Sequence, residues 1–364
     1  MTVRVNKDSF NLREKLSELE RPIGLKGSEL MRAETTQEVR DLVSAGRKNL
    51  IINGAMQVSQ RGTSFTGVNQ TAYHCDRYQL YYQNSSAAFT VTQSTDTPDG
   101  FGKSLKIDVT TADTSIASNE EIKLVHKIEG LNVQNIIKGT SSAVPITLSF
   151  YAKATKTGTY IVELYDRDNA RDVSASYTIS DTNWNRYELT YPADSGGSAF
   201  DSDNAASLEI QWWLVAGSAV QGGTLNTSWR SSTDSNSATG QVNLTDSTGN
   251  DWLITGIQLE VGKNATEFEH RSIGEELALC QRYYWETENF LWLYSLDSGH
   301  SYVRCNIFHP VEMRVAPTVT GSFSYAGSSN GYQSQTKLFT IPYVNGPGTN
   351  LVSLSAGAQF NAEL

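Results

Sequence analysis

Ile146-Thr-Leu-Ser-Phe-Tyr-Ala152, Tyr160-Ile-Val-Glu-Leu-Tyr165 and Leu208-Glu-Ile-Gln-Trp-Trp-Leu214 alternate apolar with polar residues. That is the period of two expected of strands covered on one face. Ser104-Leu-Lys-Ile-Asp-Val-Thr110, Trp184-Asn-Arg-Tyr-Glu-Leu189 and Trp252-Leu-Ile-Thr-Gly-Ile-Gln-Leu-Glu-Val261 extend the pattern on either side. Gly, Ser, Asp and Asn loops separate these segments, and no helical periodicity intervenes. Many short strands in that arrangement predict a mainly β fold, a β-sandwich covering residues 49–272.

Outward from this block the character changes twice. Residues 1–48 read as a short helical segment for attachment or oligomerisation. Ser9 can cap a helix carrying Leu12, Leu16 and Leu19, and Pro22 and Gly24 end it. Thr35 and Glu38 make a capping-box pattern ahead of Val39 and Leu42. Helices this short are marginal alone, so their apolar stripes need a second surface. Beyond the sandwich, Gly274-Glu-Glu-Leu-Ala-Leu-Cys-Gln-Arg-Tyr-Tyr284 predicts one amphipathic helix opening a smaller β-module over 273–364. Its strands are expected around Val303 to Ile307, Val319 to Phe323, Lys337 to Ile341 and Leu351 to Leu354.

Charge divides the chain in the same place. Residues 1–50 hold ten Lys/Arg against eight Asp/Glu, and the remainder holds 19 against 31, which together make the net −10. An acidic body repels nucleic acid, so no nucleic-acid partner is expected. No apolar run approaches the roughly 18 residues of a membrane helix, and the amino terminus lacks a signal-peptide stretch. Cys75, Cys280 and Cys305 show no CxxC spacing and are read as buried free thiols, with a Cys280–Cys305 pair as the alternative.

Asn49-Leu-Ile-Ile-Asn-Gly-Ala-Met56 resembles the first strand of jelly-roll carbohydrate-binding modules. Ser149-Phe-Tyr-Ala-Lys153, Asn183-Trp-Asn-Arg-Tyr187 and Ile257-Gln-Leu-Glu260 resemble their middle and final strands, in the same order. A closer resemblance, over most of the chain, is to tail-fibre-like virion proteins of tailed phages of the marine and cyanophage type. It rests on Pro22-Ile-Gly-Leu-Lys-Gly-Ser-Glu-Leu-Met-Arg32, on Arg47 to Gly62, on Leu253 to Gly262, and on Phe268-Glu-His-Arg271 through Cys280-Gln-Arg-Tyr-Tyr284. The resemblance implies a jelly-roll fold and a homo-oligomeric, often trimeric, virion protein assembled in the host cytoplasm, with host recognition as its common role.

Catalytic patterns are weak. Thr97-Pro-Asp-Gly-Phe-Gly-Lys-Ser104 imitates the end of a phosphate loop, but Thr97 stands where the first Gly is needed and a strand follows. His74, Cys75 and Asp76 are adjacent, so their side chains diverge in an extended chain. Asp166-Arg-Asp-Asn169 and Asp201-Ser-Asp-Asn204 cluster oxygen ligands without the spacing of a calcium loop, and Asx turns explain them. Neither metal nor cofactor is expected.

Aromatic residues remain as glycan-binding candidates, because Trp and Tyr combine an apolar face with a polar edge. Adjacent Trp212 and Trp213 must face opposite sides of a strand, leaving one of them available at a surface or groove. Trp229 sits in the polar stretch 217–250, where short strands are expected near Trp229 and Val242. Tyr325 and Tyr332 flank a Gly/Ser/Asn turn. The candidates are therefore Trp212, Trp229, Tyr325 and Tyr332. The expected function is a non-enzymatic tail fibre or appendage, a homotrimer joined to other virion proteins through Leu12, Leu16, Leu19, Val39 and Leu42, and meeting a bacterial surface glycan. Competing readings are a purely structural baseplate or capsid decoration protein, and a polysaccharide depolymerase.

Overall fold

In a computed structural model the chain packs as two units, Met1–Lys48 and Asn49–Leu364. The structure describes Arg32 and residues 47–287, 291–294, 302–304, 306–321, 323–325, 329–345, 351–354 and 357–364. Leu12, Leu16, Leu19, Val39 and Leu42 lie outside the described residues.

The sandwich uses strands β1 (Ser64–Val68), β2 (Ala72–Tyr73), β3 (Tyr78–Gln83), β4 (Ala88–Ser94), β5 (Ser104–Thr111), β6 (Glu121–Glu129) and β7 (Ile146–Ala154). It continues with β8 (Gly158–Asp166), β9 (Arg171–Ile179), β10 (Asn185–Tyr191), β11 (Ala206–Ala216), β12 (Arg230–Ser231) and β13 (Asp251–Val261). They form a six-stranded sheet in the order β1-β4-β5-β13-β7-β10 and a seven-stranded sheet in the order β12-β9-β8-β11-β6-β3-β2. The pairings within both sheets are antiparallel. The mainly β sandwich expected from the period-two pattern is the fold observed, with the two packed antiparallel sheets that the jelly-roll resemblance implies.

Between the sheets lies one apolar core. Phe89, Ile107, Leu148, Phe150, Trp252 and Leu259 come from the smaller sheet, and Leu80, Leu124, Val162, Leu164, Ile210 and Trp212 from the larger. Trp212 meets Phe150 edge-on with ring centroids 6.1 Å apart. Burying aromatics of this size supplies much of the driving force for closing the sandwich.

β13 keeps its apolar residues inward only because of a bulge. Trp252 and Ile254 follow one parity and Ile257 and Leu259 the other, and the pairing with β7 shifts between Thr255 and Gln258. Gly256 absorbs the change at φ +64°, and a Cβ there would come within 2.7 Å of the Phe101 ring. Only glycine meets both demands.

The Asn49–Met56 stretch is irregular rather than the strand its resemblance suggests. Its backbone runs beside β13, with Leu50 N donating to Leu259 O at 3.0 Å and Ile257 N to Gly54 O at 2.9 Å. Asn49 Oδ1 accepts from Ile51 N and Leu259 N, and its Nδ2 donates to Ile257 O. At φ +61°, Asn53 turns the chain away and donates to the carbonyls of Val58 and Asp76. Gly54 is required because a Cβ would lie 2.1 Å from Ile257 O. Gly54→Ala is expected to cost about 1–3 kcal/mol through forced separation of the two backbones, measurable as a lower denaturant midpoint with an unchanged slope.

Of the two helices labelled here, α1 spans Ser218–Gln221 and α2 spans Ile273–Gln281. Ser272 and Glu275 cap α2 reciprocally. α2 is shorter than the sequence pattern suggests, because Ala362 N takes the Tyr283 carbonyl at 2.7 Å. Strand Tyr284–Glu286 is thereby drawn into a small sheet with Gln359–Asn361, which also pairs with Thr318–Thr320. Two further small sheets collect Leu291–Tyr294, Phe323–Tyr325 and Leu351–Leu354, and Tyr302–Arg304, Ile307–Phe308, Ser329–Gln335 and Phe339–Asn345. Cys75 and Cys280 are buried free thiols, and Cys305 lies outside the described residues.

The last residues are anchored to the sandwich by charge. Arg77, 1% exposed and stacked on the Tyr283 ring at 3.5 Å, pairs with Glu363 and donates to Lys127 O. Arg61 bridges Glu363 at 3.2 Å and Asp76 at 2.7 Å. Tyr73 OH and Lys127 Nζ donate to Leu364 O.

Candidate functional site

Strand alternation divides the larger sheet into an apolar inner face and a polar outer face. On β11, Trp212 points into the core, while Glu209, Gln211 and Trp213 share the opposite side. Registry aligns Gln211 with Glu163 on β8, and Trp213 with Lys123 on β6. Tyr81 on β3 is paired with Lys123, and Tyr165 on β8 lies next to Glu209. The loop after β11 folds back over this face. Val220 of α1 and Ala238 pack on Ile161, Trp213 and Ala216, with Leu225 beside them.

The result is a cleft of about 170 Å³, smaller than the roughly 300–1,000 Å³ of drug-sized sites. Glu163, Gln211 and Trp213 form its floor, Glu121, Lys123 and Tyr165 its sides, and Ser232, Asp234 and Ser237 its loop wall. Trp213 Nε1 donates to Glu163 Oε2 at 3.0 Å. The Lys123 ammonium stands 4.2 Å from the Trp213 centroid and 4.9 Å from that of Tyr81, and it pairs with Glu121 at 3.0 Å. Gln211 Nε2 donates to Glu209 Oε2 at 2.8 Å, but Gln211 Oε1, in a residue only 5% exposed, has no partner among the described residues. A buried acceptor left unpaired is costly unless something supplies it with a donor.

Burial pushes the Glu163 carboxyl up to about 7; Lys123 opposes the rise and Asp172 adds to it. The folded state therefore holds this proton more tightly than the unfolded chain does, so stability falls as pH rises from about 4.5 to about 7. Glu163→Gln removes that penalty. The variant is expected to gain stability relative to wild type at pH 8 but not at pH 4, a difference read from denaturation curves at the two pH values.

Of the residues anticipated from sequence, Trp212 is fully buried in the core and offers no face to a ligand. Its neighbour Trp213 takes the outer side, but the loop beyond β11 covers it to 1% exposure, so neither tryptophan is open. Long-range packing by Val220 and Ala238 is the reason, and adjacency on a strand could not reveal it. Trp229 lies just before β12 and packs against the core, its Nε1 donating to Pro192 O at 2.9 Å. It lines a separate small cavity with Lys138 and Phe200. No strand forms at Val242, whose amide instead bonds to Thr159 O. Tyr325 and Tyr332 are in strands Phe323–Tyr325 and Ser329–Gln335, and their side chains lie outside the described residues. Sequence reasoning missed Glu163, Lys123, Tyr165 and Gln211, although their polar parity within apolar strands was the available signal.

The acidic pair of clusters resolves into turns and a buried ammonium. Asp166 Oδ1 accepts from the amides of Asp168 and Asn169, while Lys138 Nζ sits 2.6 Å from Asp166 Oδ2 and 3.1 Å from Asp194 Oδ2. Ser198 O accepts a third bond from that ammonium. Asp203 accepts from Ala205 N, again a local turn. Among the described residues, no group of three or more His, Cys, Asp or Glu side chains is placed to hold a metal ion, and no helix is long and apolar enough to cross a membrane.

A larger cavity, about 470 Å³, lies against β1 and β2. Its fixed groups already engage one another: Phe65 packs edge-on against His74, and Arg61, paired with Asp76 and Glu363, covers Tyr73. Among the described residues both cavities hold one unpaired buried atom, His74 Nδ1 in the larger and Gln211 Oε1 in the outer-face cleft. The cleft is the better candidate because its atom lies among a carboxylate, an ammonium and aromatic rings, whereas His74 is packed on Phe65.

No protein-family model matches the chain, and no curated protein does. Among solved structures it is similar to a candidate sugar-binding protein from Bacteroides thetaiotaomicron, at 14% identity and TM-score 0.35, over 59% of this chain and 100% of that one. It is similar also to a carbohydrate-binding module solved with β-1,4-galactotriose, at 8% identity and TM-score 0.30, over 59% and 99%. A third likeness is to the family 11 carbohydrate-binding module of a Clostridium thermocellum cellulosomal cellulase, at 11% identity and TM-score 0.27, over 56% and 99%.

Proposed function

We infer that this chain is a glycan-recognition protein without catalytic activity, and that the outer-face cleft of the seven-stranded sheet receives one sugar ring. The observation that carries this reading is Gln211 Oε1, an unpaired buried acceptor on the floor of a cleft that also holds Glu163, Lys123 and the ring of Tyr165. Sugar hydroxyls donate and accept in turn, and aromatic edges and faces complement the apolar side of a pyranose ring. In this reading the chain serves a tail fibre or similar appendage of a tailed-phage virion as a homotrimer, attached to other virion proteins through residues 1–48. The phage-like stretches from Pro22 to Arg32 and from Arg47 to Gly62 support that setting.

Binding of the intact oligomer to a panel of bacterial and plant glycans tests the recognition role. Tyr165→Ala is expected to weaken binding up to about tenfold, the effect of losing one aromatic contact. Trp229→Ala, outside the cleft, is expected to leave it unchanged. Absence of binding at high protein concentration favours a structural baseplate or capsid decoration protein. New reducing ends in polysaccharide incubated with the protein would establish an enzyme, and antibody labelling of intact particles tests the virion location.

A further inference from the structure

The donor and acceptor balance of the cleft narrows the ligand. Three carboxylates line it, Glu121, Glu163 and Asp234, against the single ammonium of Lys123, which Glu121 already engages. The unfilled group on the floor among the described residues, Gln211 Oε1, is an acceptor as well. Asp172, a further buried carboxylate on the strand beyond Glu163, accepts from Asn226 and Ser232 and faces the Arg230 guanidinium at 4.0 Å, so the excess rests on the three lining carboxylates and Gln211. Such a site has negative charge and acceptors in excess. Acidic sugars meet repulsion there, neutral sugars satisfy it through hydroxyl donors, and an ammonium, with three donors and no acceptor, suits it best. The Lys123 ammonium between Tyr81 and Trp213 shows that this face already holds a cation beside aromatic rings.

We propose that the cleft selects a sugar carrying a free amino group, whose ammonium donates to Gln211 Oε1 and to the Glu163 carboxylate. The proposal rests on the glycan-binding reading above and specifies the ligand class for the same site. Acetylation of the amine removes the charge and one or more donors, so the acetylated sugar is the discriminating comparison.

The test is calorimetric titration of the full chain at pH 7, near the Glu163 value, where a share of glucosamine amines is protonated, with four probes: a glucosamine tetramer, its N-acetylated counterpart, a cellotetraose and a uronic-acid tetramer. The glucosamine tetramer is expected to bind about tenfold tighter than the acetylated one, the difference between a charge-assisted and a neutral hydrogen bond. Glu163→Gln is expected to reduce that ratio severalfold. Lys123→Met removes the resident ammonium while keeping an apolar stem over Trp213, and it is expected to raise the ratio. These opposite directions separate ligand selection from a general loss of fold, and unfolding curves of each variant accompany the titrations. Equal affinity for the amine and acetyl probes, or tighter binding of the uronic acid, overturns this proposal and leaves glycan recognition standing. Failure of all four probes to bind overturns both.

Discussion

Glu363→Ala is expected to lower the unfolding free energy by about 3–5 kcal/mol, the cost of leaving one member of a buried ion pair without its partner. Arg77 is 1% exposed, and Glu363 faces both Arg77 and Arg61. Burial works against the Arg77 charge, and the Glu363 carboxylate is the largest of the influences that together outweigh it. Arg77 cannot respond to the loss of Glu363 by releasing its proton, since a guanidinium remains charged at any pH a protein survives. Paired replacement, Arg77→Met with Glu363→Leu, is expected to cost much less than Glu363→Ala alone, because it removes both charges together. Chemical denaturation of the three variants checks this. Equal losses in the single and paired variants would show that packing rather than charge compensation dominates.

Lys138→Met is expected to have a comparable effect, again about 3–5 kcal/mol, because it leaves Asp166 and Asp194 buried without their shared ammonium. Burial would raise the Asp194 carboxyl, but its bonds to Arg171 and Lys138 hold it below the ordinary 3.8. A depressed carboxylate contributes stability above its unfolded value and loses it as pH falls through the folded value. Part of that contribution disappears with Lys138, so the variant is expected to lose less stability than wild type on acidification below about pH 4. Thermal unfolding at pH 7 and pH 3 gives both readings, and a variant deficit relative to wild type that is the same at each pH would contradict the assignment.

The two charge centres differ in how far they could be foreseen. Asp166 to Asn169 is visible in the sequence as an acidic cluster, and an Asx turn is what its local spacing supports. Lys138, 28 positions earlier, supplies the cation only because the chain between β6 and β7 returns to the start of the β8–β9 turn. Arg77 and Glu363 are separated by 286 positions, and no local pattern joins them. The conformational entropy of closing such a loop is met by the whole fold, not by this pair.

The sequence by itself determined the mainly β sandwich, because strand parity is a local property and Leu148, Val162 and Ile210 had to share one side with their neighbours. The turn at Asn53 and Gly54, in a stretch whose resemblance suggests a strand, and the cap of α2 at Ser272 came from the structure. The tertiary structure alone decided which of the strand's polar residues meet. Registry between β6, β8 and β11 brings Lys123, Glu163 and Gln211 together, and the loop carrying Val220 and Ala238 closes Trp213 beneath them. Parity assigns a residue to a face; only long-range pairing assigns it a neighbour, and the chemistry of the cleft belongs to neighbours.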